Sequence, residues 1–155
     1  MERKLSEYRS ELIELRDKVG VGYDDDDELR PNKYGPDGEL YSVRDTCRTV
    51  TSGKYDYEIC LFGKTHQRDK GQKKGGTNLG EWKGMTYDEE TGDRVMKWEG
   101  GAKCWNGPKR SATVFVTCGA MTRVLSADEP RTCEYEMRME SHIACDEGYR
   151  LRHGL

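Results

Sequence analysis

Between Cys104 and Cys118 the chain reads CWNGPKRSATVFVTC, which sets an indole, a Gly-Pro turn and a lone arginine ahead of a strand-like run. An arginine offers a planar fork of donors, and an indole offers a flat apolar face. The other chemistry-bearing residues point away from catalysis. The histidines are His66, His142 and His153, and there is no Gly-rich phosphate loop, no Gly-x-Ser-x-Gly elbow and no His-Glu-x-x-His. Asp128 and Glu129 are neighbours, and neighbours on a strand face opposite ways, which argues against a paired-carboxylate glycosidase. The cysteines, at 47, 60, 104, 118, 133 and 145, never form Cys-x-x-Cys. That spacing speaks against zinc and redox motifs, and the even count suits three disulfides in an oxidising compartment.

The elements that must hold these residues follow from texture. At 155 residues with 34% hydrophobic content, the chain suits one domain plus an appendage. Its 26 basic and 29 acidic residues give a net charge of −3 with both signs scattered, so no field favours nucleic acid or anionic lipid. The start MERKLSEYRS is charged, and no apolar run approaches a membrane span. Six structural cysteines without a signal peptide imply a fragment of a longer secretory-pathway protein.

Leu5, Tyr8, Leu12, Leu15 and Val19 alternate by three and four, which predicts an amphipathic helix over residues 1–22, stopped by Gly20 and Gly22. The helix would pack on the domain or continue a coiled coil. Five consecutive acids in GVGYDDDDELRP then read as a solvated acidic linker over 23–38, because like charges repel and the alternating calcium-loop spacing is missing. From residue 39 to 150 the texture turns to β. KYDYEICLF, RVMKWEG, SATVFVTC, TRVLS and CEYEMRM are rich in β-branched and aromatic residues with turn residues between them. The expected fold is all-β, a flattened antiparallel barrel or sandwich stapled by disulfides. HQRDKGQKKGGTNLGEW is expected to be a long exposed loop.

YDYEICLFGKTHQ, CWNGPKRSATVFVTCG and ADEPRTCEYEMRMESHIAC together resemble the mannose 6-phosphate receptor homology lectin domain, a P-type lectin fold, over about residues 40 to 145. The Cys-Trp-x-Gly-Pro-x-Arg-Ser stretch is most similar to the form found in glucosidase II beta subunits. The resemblance places the family's four mannose-binding residues on Gln67, Arg110, Glu129 and Tyr135, with Gln67 and Arg110 on the axial 2-hydroxyl and Glu129 and Tyr135 on the 3- and 4-hydroxyls. It implies disulfides Cys47–Cys60, Cys104–Cys133 and Cys118–Cys145, and it puts Trp105 near the sugar, against the alternative of a core tryptophan behind a disulfide. The set makes physical sense, since a neutral sugar needs a fixed multi-donor, a carboxylate acceptor and bifunctional groups.

The resemblance further implies a non-catalytic lectin subunit in the endoplasmic reticulum lumen. Such a subunit holds a mannose of high-mannose N-glycans while a catalytic glucosidase II alpha subunit trims glucose, with no cofactor or metal. GGAKC lacks the acid that accompanies a cation in phosphate-binding receptors, so unphosphorylated mannose is expected. The runner-up is the gamma subunit of the GlcNAc-1-phosphotransferase, which recognises high-mannose glycans on lysosomal enzymes and shares the four-residue pattern. The paired tryptophan of the degradation lectins is missing from PDGELYSVRDTC, and RHGL at the end is no retention signal.

Overall fold

The computed structural model describes residues 2–19, 34 and 40–154, in two units, Met1–Arg44 and Asp45–Leu155. In the first unit, α1 spans Glu2–Val19, with acidic Glu2 in its first turn where the helix dipole favours it. Leu5, Tyr8, Leu12 and Leu15 lie exposed along it, and Ile13 joins them. No residue from 23 to 38 is described except Tyr34, so the acidic linker lies outside the described residues. Tyr34 meets Tyr41 edge to face at 5.3 Å, beside a single 3-10 turn at Tyr41–Val43.

The second unit is one eight-stranded sheet curled into a nearly closed barrel. Its strands are β1 (Cys47–Ser52), β2 (Tyr55–Cys60), β3 (Lys64–Asp69), β4 (Thr77–Tyr87), β5 (Arg94–Glu99), β6 (Ser111–Cys118), β7 (Arg123–Arg131) and β8 (Glu134–Ser141), in the order β1-β2-β3-β4-β5-β6-β8-β7. The edge strands approach each other, and Arg48 Nε at β1 donates to the carbonyl of Thr122 just before β7 at 2.9 Å. Alternation sets the faces: Ala112, Val114 and Val116 on β6 and Tyr135, Met137 and Met139 on β8 are all buried, and the residues between them are not. Ile59, Leu79, Met96 and Trp98 complete the interior, where the Trp98 indole donates to the Gly63 carbonyl at 2.7 Å.

Two details depart from expectation. First, β6 and β8 run parallel while every other pair is antiparallel. The β7–β8 hairpin inserts β8 next to β6, and the four-residue link Gly119–Thr122 suffices to cross the two strand spacings, about 10 Å, that this requires. Second, the stretch from His66 to Trp82 is not a long loop. Its first four residues end β3, its last six begin β4, and only Lys70–Gly76 connect them. Charged outward side chains and glycines mask these strands. Gly80 in β4 has φ +145°, and a Cβ there would stand 2.7 Å from the backbone of Trp98 and Glu99 on β5, so the close strand approach requires glycine.

Three disulfides join Cys47 to Cys60, Cys104 to Cys133 and Cys118 to Cys145. The first staples β1 to β2. The second ties the Gly100–Arg110 loop to the β7–β8 turn, and the third ties the end of β6 to the lead into α2 (Glu147–Arg152). Asp146 caps α2 by accepting from Tyr149 N at 2.8 Å, and it pairs with buried Arg94 at 3.1 Å.

Candidate functional site

One end of the barrel gathers the polar residues that the sequence singles out. Tyr57 on β2 faces Gln67 on β3 across the ladder, and Ala112 on β6 faces Tyr135 on β8. Gln67 therefore shares the inner face with Tyr57, and Tyr135 shares it with Ala112. Gln67 Nε2 donates to the Tyr57 hydroxyl at 3.1 Å, and the Tyr57 and Tyr135 rings lie 6.0 Å apart. Both tyrosines are buried, at 6% and 5% exposure. Burial pushes the Tyr57 hydroxyl above its usual range, with the bond from Gln67 opposing this and Tyr135 and Glu129 adding smaller contributions.

Glu129 reaches this cluster through an irregularity. The β7–β8 register shifts between Asp128 and Arg131, and Glu129 and Pro130 sit in that bulge on an edge strand, where a proline costs no ladder bond. The bulge turns the carboxylate back onto the hairpin, and Glu129 Oε1 accepts from the Cys133 N–H at 2.7 Å. Cys133 has φ +64°, an unfavourable conformation for a non-glycine residue. The Glu129 bond and the Cys104–Cys133 bridge hold it there.

Arg110 stands at the same end, just before β6. Its Nη1 donates to the carbonyls of Lys103 at 2.9 Å and Ala102 at 3.4 Å, and its buried Nε has no protein partner. Among the described residues no hydrogen bond joins Arg110 to Gln67, Glu129 or Tyr135. The loop it clamps is tightly folded: Gly101 N donates to the Arg110 carbonyl at 2.8 Å, and a Cβ on Gly101 would stand 2.6 Å from the Asn78 oxygen. Trp105 projects from this loop at 96% exposure. That rules out the core tryptophan and leaves the indole face open to solvent.

Gln67, Glu129 and Arg110 are thus each held by hydrogen bonds to the protein and keep capacity to spare. Glu129 keeps a second carboxylate oxygen. No protein donor among the described residues reaches Gln67 Oε1, which is not buried. Side chains fixed by one partner and open at the other end are preorganised for a polyhydroxylated ligand, because less rotamer freedom is lost on binding. Beside Gln67 a cleft of about 180 Å³ is lined by Tyr55, Arg68, Asp69, Gln72, Gly76 and Thr77. A larger one, about 360 Å³, lies over the outward residues Lys97, Thr113, Phe115 and Glu136. Among the described residues no cluster of histidine, cysteine or carboxylate side chains suits a metal ion. Among the described residues no helix is long and apolar enough to cross a membrane. Sequence reasoning missed Tyr57, whose only signal was its place in the alternating run YDYEIC, where it reads as core.

Known proteins resemble this chain in sequence and in fold. A family model described as glucosidase II beta subunit-like protein matches residues 1–154. The human glucosidase 2 subunit beta is 38% identical over 116 residues, which cover 74% of this chain and 21% of the human protein. The protein of the same name from Oryza sativa subsp. indica is 33% identical over 144 residues, 93% of this chain and 20% of its own length. The chain therefore spans about a fifth of these relatives. A crystal structure of the MRH domain of glucosidase II beta bound to mannose superposes with TM-score 0.55 at 30% identity, covering 68% of this chain and 98% of that one. Chicken IGF2R domain 11, at 18% identity and TM-score 0.53 over 70% of this chain and 82% of its own, shares the fold.

Proposed function

Because the chain belongs to the glucosidase II beta subunit-like family, we propose that its barrel is a mannose-binding lectin domain whose sugar site is Gln67, Arg110, Glu129 and Tyr135, with Trp105 beside it. The observation that carries this reading is the pairing of Gln67 with Tyr57 beside Tyr135, at the barrel end that also holds Arg110 and the Glu129–Cys133 bond. The mannose-bound relative supports the choice of sugar.

The chemistry works by matched hydroxyls. Gln67 and Arg110 serve the axial 2-hydroxyl, the one as acceptor and the other as donor, while Glu129 and Tyr135 serve the 3- and 4-hydroxyls. An epimer with an equatorial 2-hydroxyl leaves one of these half-buried groups unpaired, which is where selectivity arises. The Trp105 indole offers its face to the C–H surface of the pyranose. Neither a phosphate clamp nor a cation is needed: the stretch before Cys104 carries Lys103 as its one charged residue. The lectin is non-catalytic. In the endoplasmic reticulum lumen it tethers a high-mannose N-glycan so that a partner glucosidase II alpha subunit meets the glucosylated branch at raised effective concentration. The family match over 1–154 favours this assignment over the phosphotransferase gamma subunit.

Titration of the protein with methyl α-mannoside, galactose and mannose 6-phosphate, together with an assay for glycoside turnover, tests the reading. Mannose-selective binding without turnover is expected. Turnover by the isolated chain, or no preference for mannose, would overturn it.

A further inference from the structure

A glutamine side chain has two ends of nearly equal shape, and a half-turn about its last bond swaps an acceptor for a donor. A site that reads the 2-hydroxyl through Gln67 must therefore break that symmetry. We propose that Tyr57 does so: it is a positioning residue of the sugar site, and its hydroxyl holds Gln67 with the amide nitrogen turned inward and the carbonyl oxygen presented to the sugar. This inference rests on the mannose reading above.

Gln67 Nε2 donates to the Tyr57 hydroxyl at 3.1 Å, and no protein donor competes for Oε1 among the described residues. A hydroxyl both donates and accepts, so the Tyr57 oxygen can take the Gln67 amide proton while its own proton points elsewhere. The ring is fixed as well, at 6% exposure, 6.0 Å from Tyr135 and 6.4 Å from Tyr55. Burial keeps the hydroxyl protonated throughout the neutral range. Tyr57 thereby fixes which end of the Gln67 amide faces the sugar.

Tyr57→Phe tests this, because it keeps the ring and its packing and removes only the hydroxyl. Two readouts separate the inference from the reading beneath it. The first needs no sugar: the side-chain amide resonances of Gln67, assigned by their loss in Gln67→Ala, should move in Tyr57→Phe to the positions of a solvent-exposed amide. The second is selectivity. Affinity for methyl α-mannoside should fall about 10-fold, as for one lost hydrogen bond with an unpaired partner. The preference over methyl α-glucoside, the 2-epimer, should narrow, and Tyr57→Phe should add nothing to Gln67→Ala. A merely structural role would lower the melting temperature and leave the epimer preference intact. Unmoved amide resonances, an unchanged epimer preference, or losses that add fully in the double variant would each overturn the proposal. If the unmodified protein binds no mannose, the mannose reading falls and takes the selectivity role with it, while the amide spectrum still decides whether Tyr57 holds Gln67.

Discussion

Replacing Glu129 by glutamine separates the two jobs of this side chain. One carboxylate oxygen accepts from the Cys133 N–H at 2.7 Å, and an amide oxygen can take over that bond with little change in shape. The other position becomes an NH2 group, so a donor faces a sugar hydroxyl where an acceptor stood. A hydrogen bond to a charged group contributes about 1.5–3 kcal/mol, so the exchange should weaken mannose binding by about 10- to 150-fold. Stability should suffer far less, because only the charge assistance of the Cys133 bond is lost, about 1 kcal/mol. Glu129→Ala provides the contrast. It removes the bond and leaves Cys133 at φ +64°, a conformation that costs about 1–3 kcal/mol and persists only when its surroundings impose it. Calorimetric titration with methyl α-mannoside, paired with thermal unfolding of both variants, reads the two effects. Unchanged affinity in Glu129→Gln, or a loss that merely follows unfolding, would refute the division of roles.

Arg110→Lys should lose about 2 kcal/mol or more of binding, since an ammonium cannot bridge two carbonyls and still present a planar fork; a titration showing wild-type affinity would contradict the assignment. Changing Cys104 and Cys133 together to serine opens a closure of 29 residues and should cost about 3–4 kcal/mol in denaturant unfolding, with mannose binding lost because the bridge anchors both the Arg110 loop and Cys133; retention of both would sever that link. Trp105→Ala should leave the melting temperature alone, given 96% exposure, while lowering affinity, and a stability loss without a binding loss would place the indole elsewhere. Acid should weaken the fold through His66. Burial holds its pKa below the usual value, with Arg68 adding to this, so the unfolded chain binds the proton more readily. Stability should be full above about pH 6.5 and fall as pH drops below it, and His66→Gln should flatten that slope in pH-dependent thermal unfolding.

How much of this was legible in the sequence depends on where the information resides. The Leu5, Tyr8, Leu12 and Leu15 stripe marks α1 because helical periodicity is local, and the alternation in SATVFVTC marks β6 for the same reason. β3 and the start of β4 escaped notice because their polar outward residues and glycines look like a loop. What makes them strands is non-local: the ladders to β2 and β5, and an approach at Gly80 too close for any side chain. The parallel β6–β8 pair is invisible for a related reason, since nothing in either strand states its neighbour. At the site, no local pattern distinguishes Gln67 from other polar residues; its spacing from Cys60, shared with a known family, singles it out. Tyr57 lacks even that signal, because a buried tyrosine in an alternating strand reads as core until its hydroxyl partner is seen.

The central claim is that one end of this barrel reads the stereochemistry of a single mannose. Its most direct test is a comparative titration of the protein with methyl α-mannoside and methyl α-glucoside, which differ only at carbon 2. Saturable binding of the mannoside with much weaker binding of the glucoside is the predicted result, and equal affinity for the two, or none for either, would contradict it.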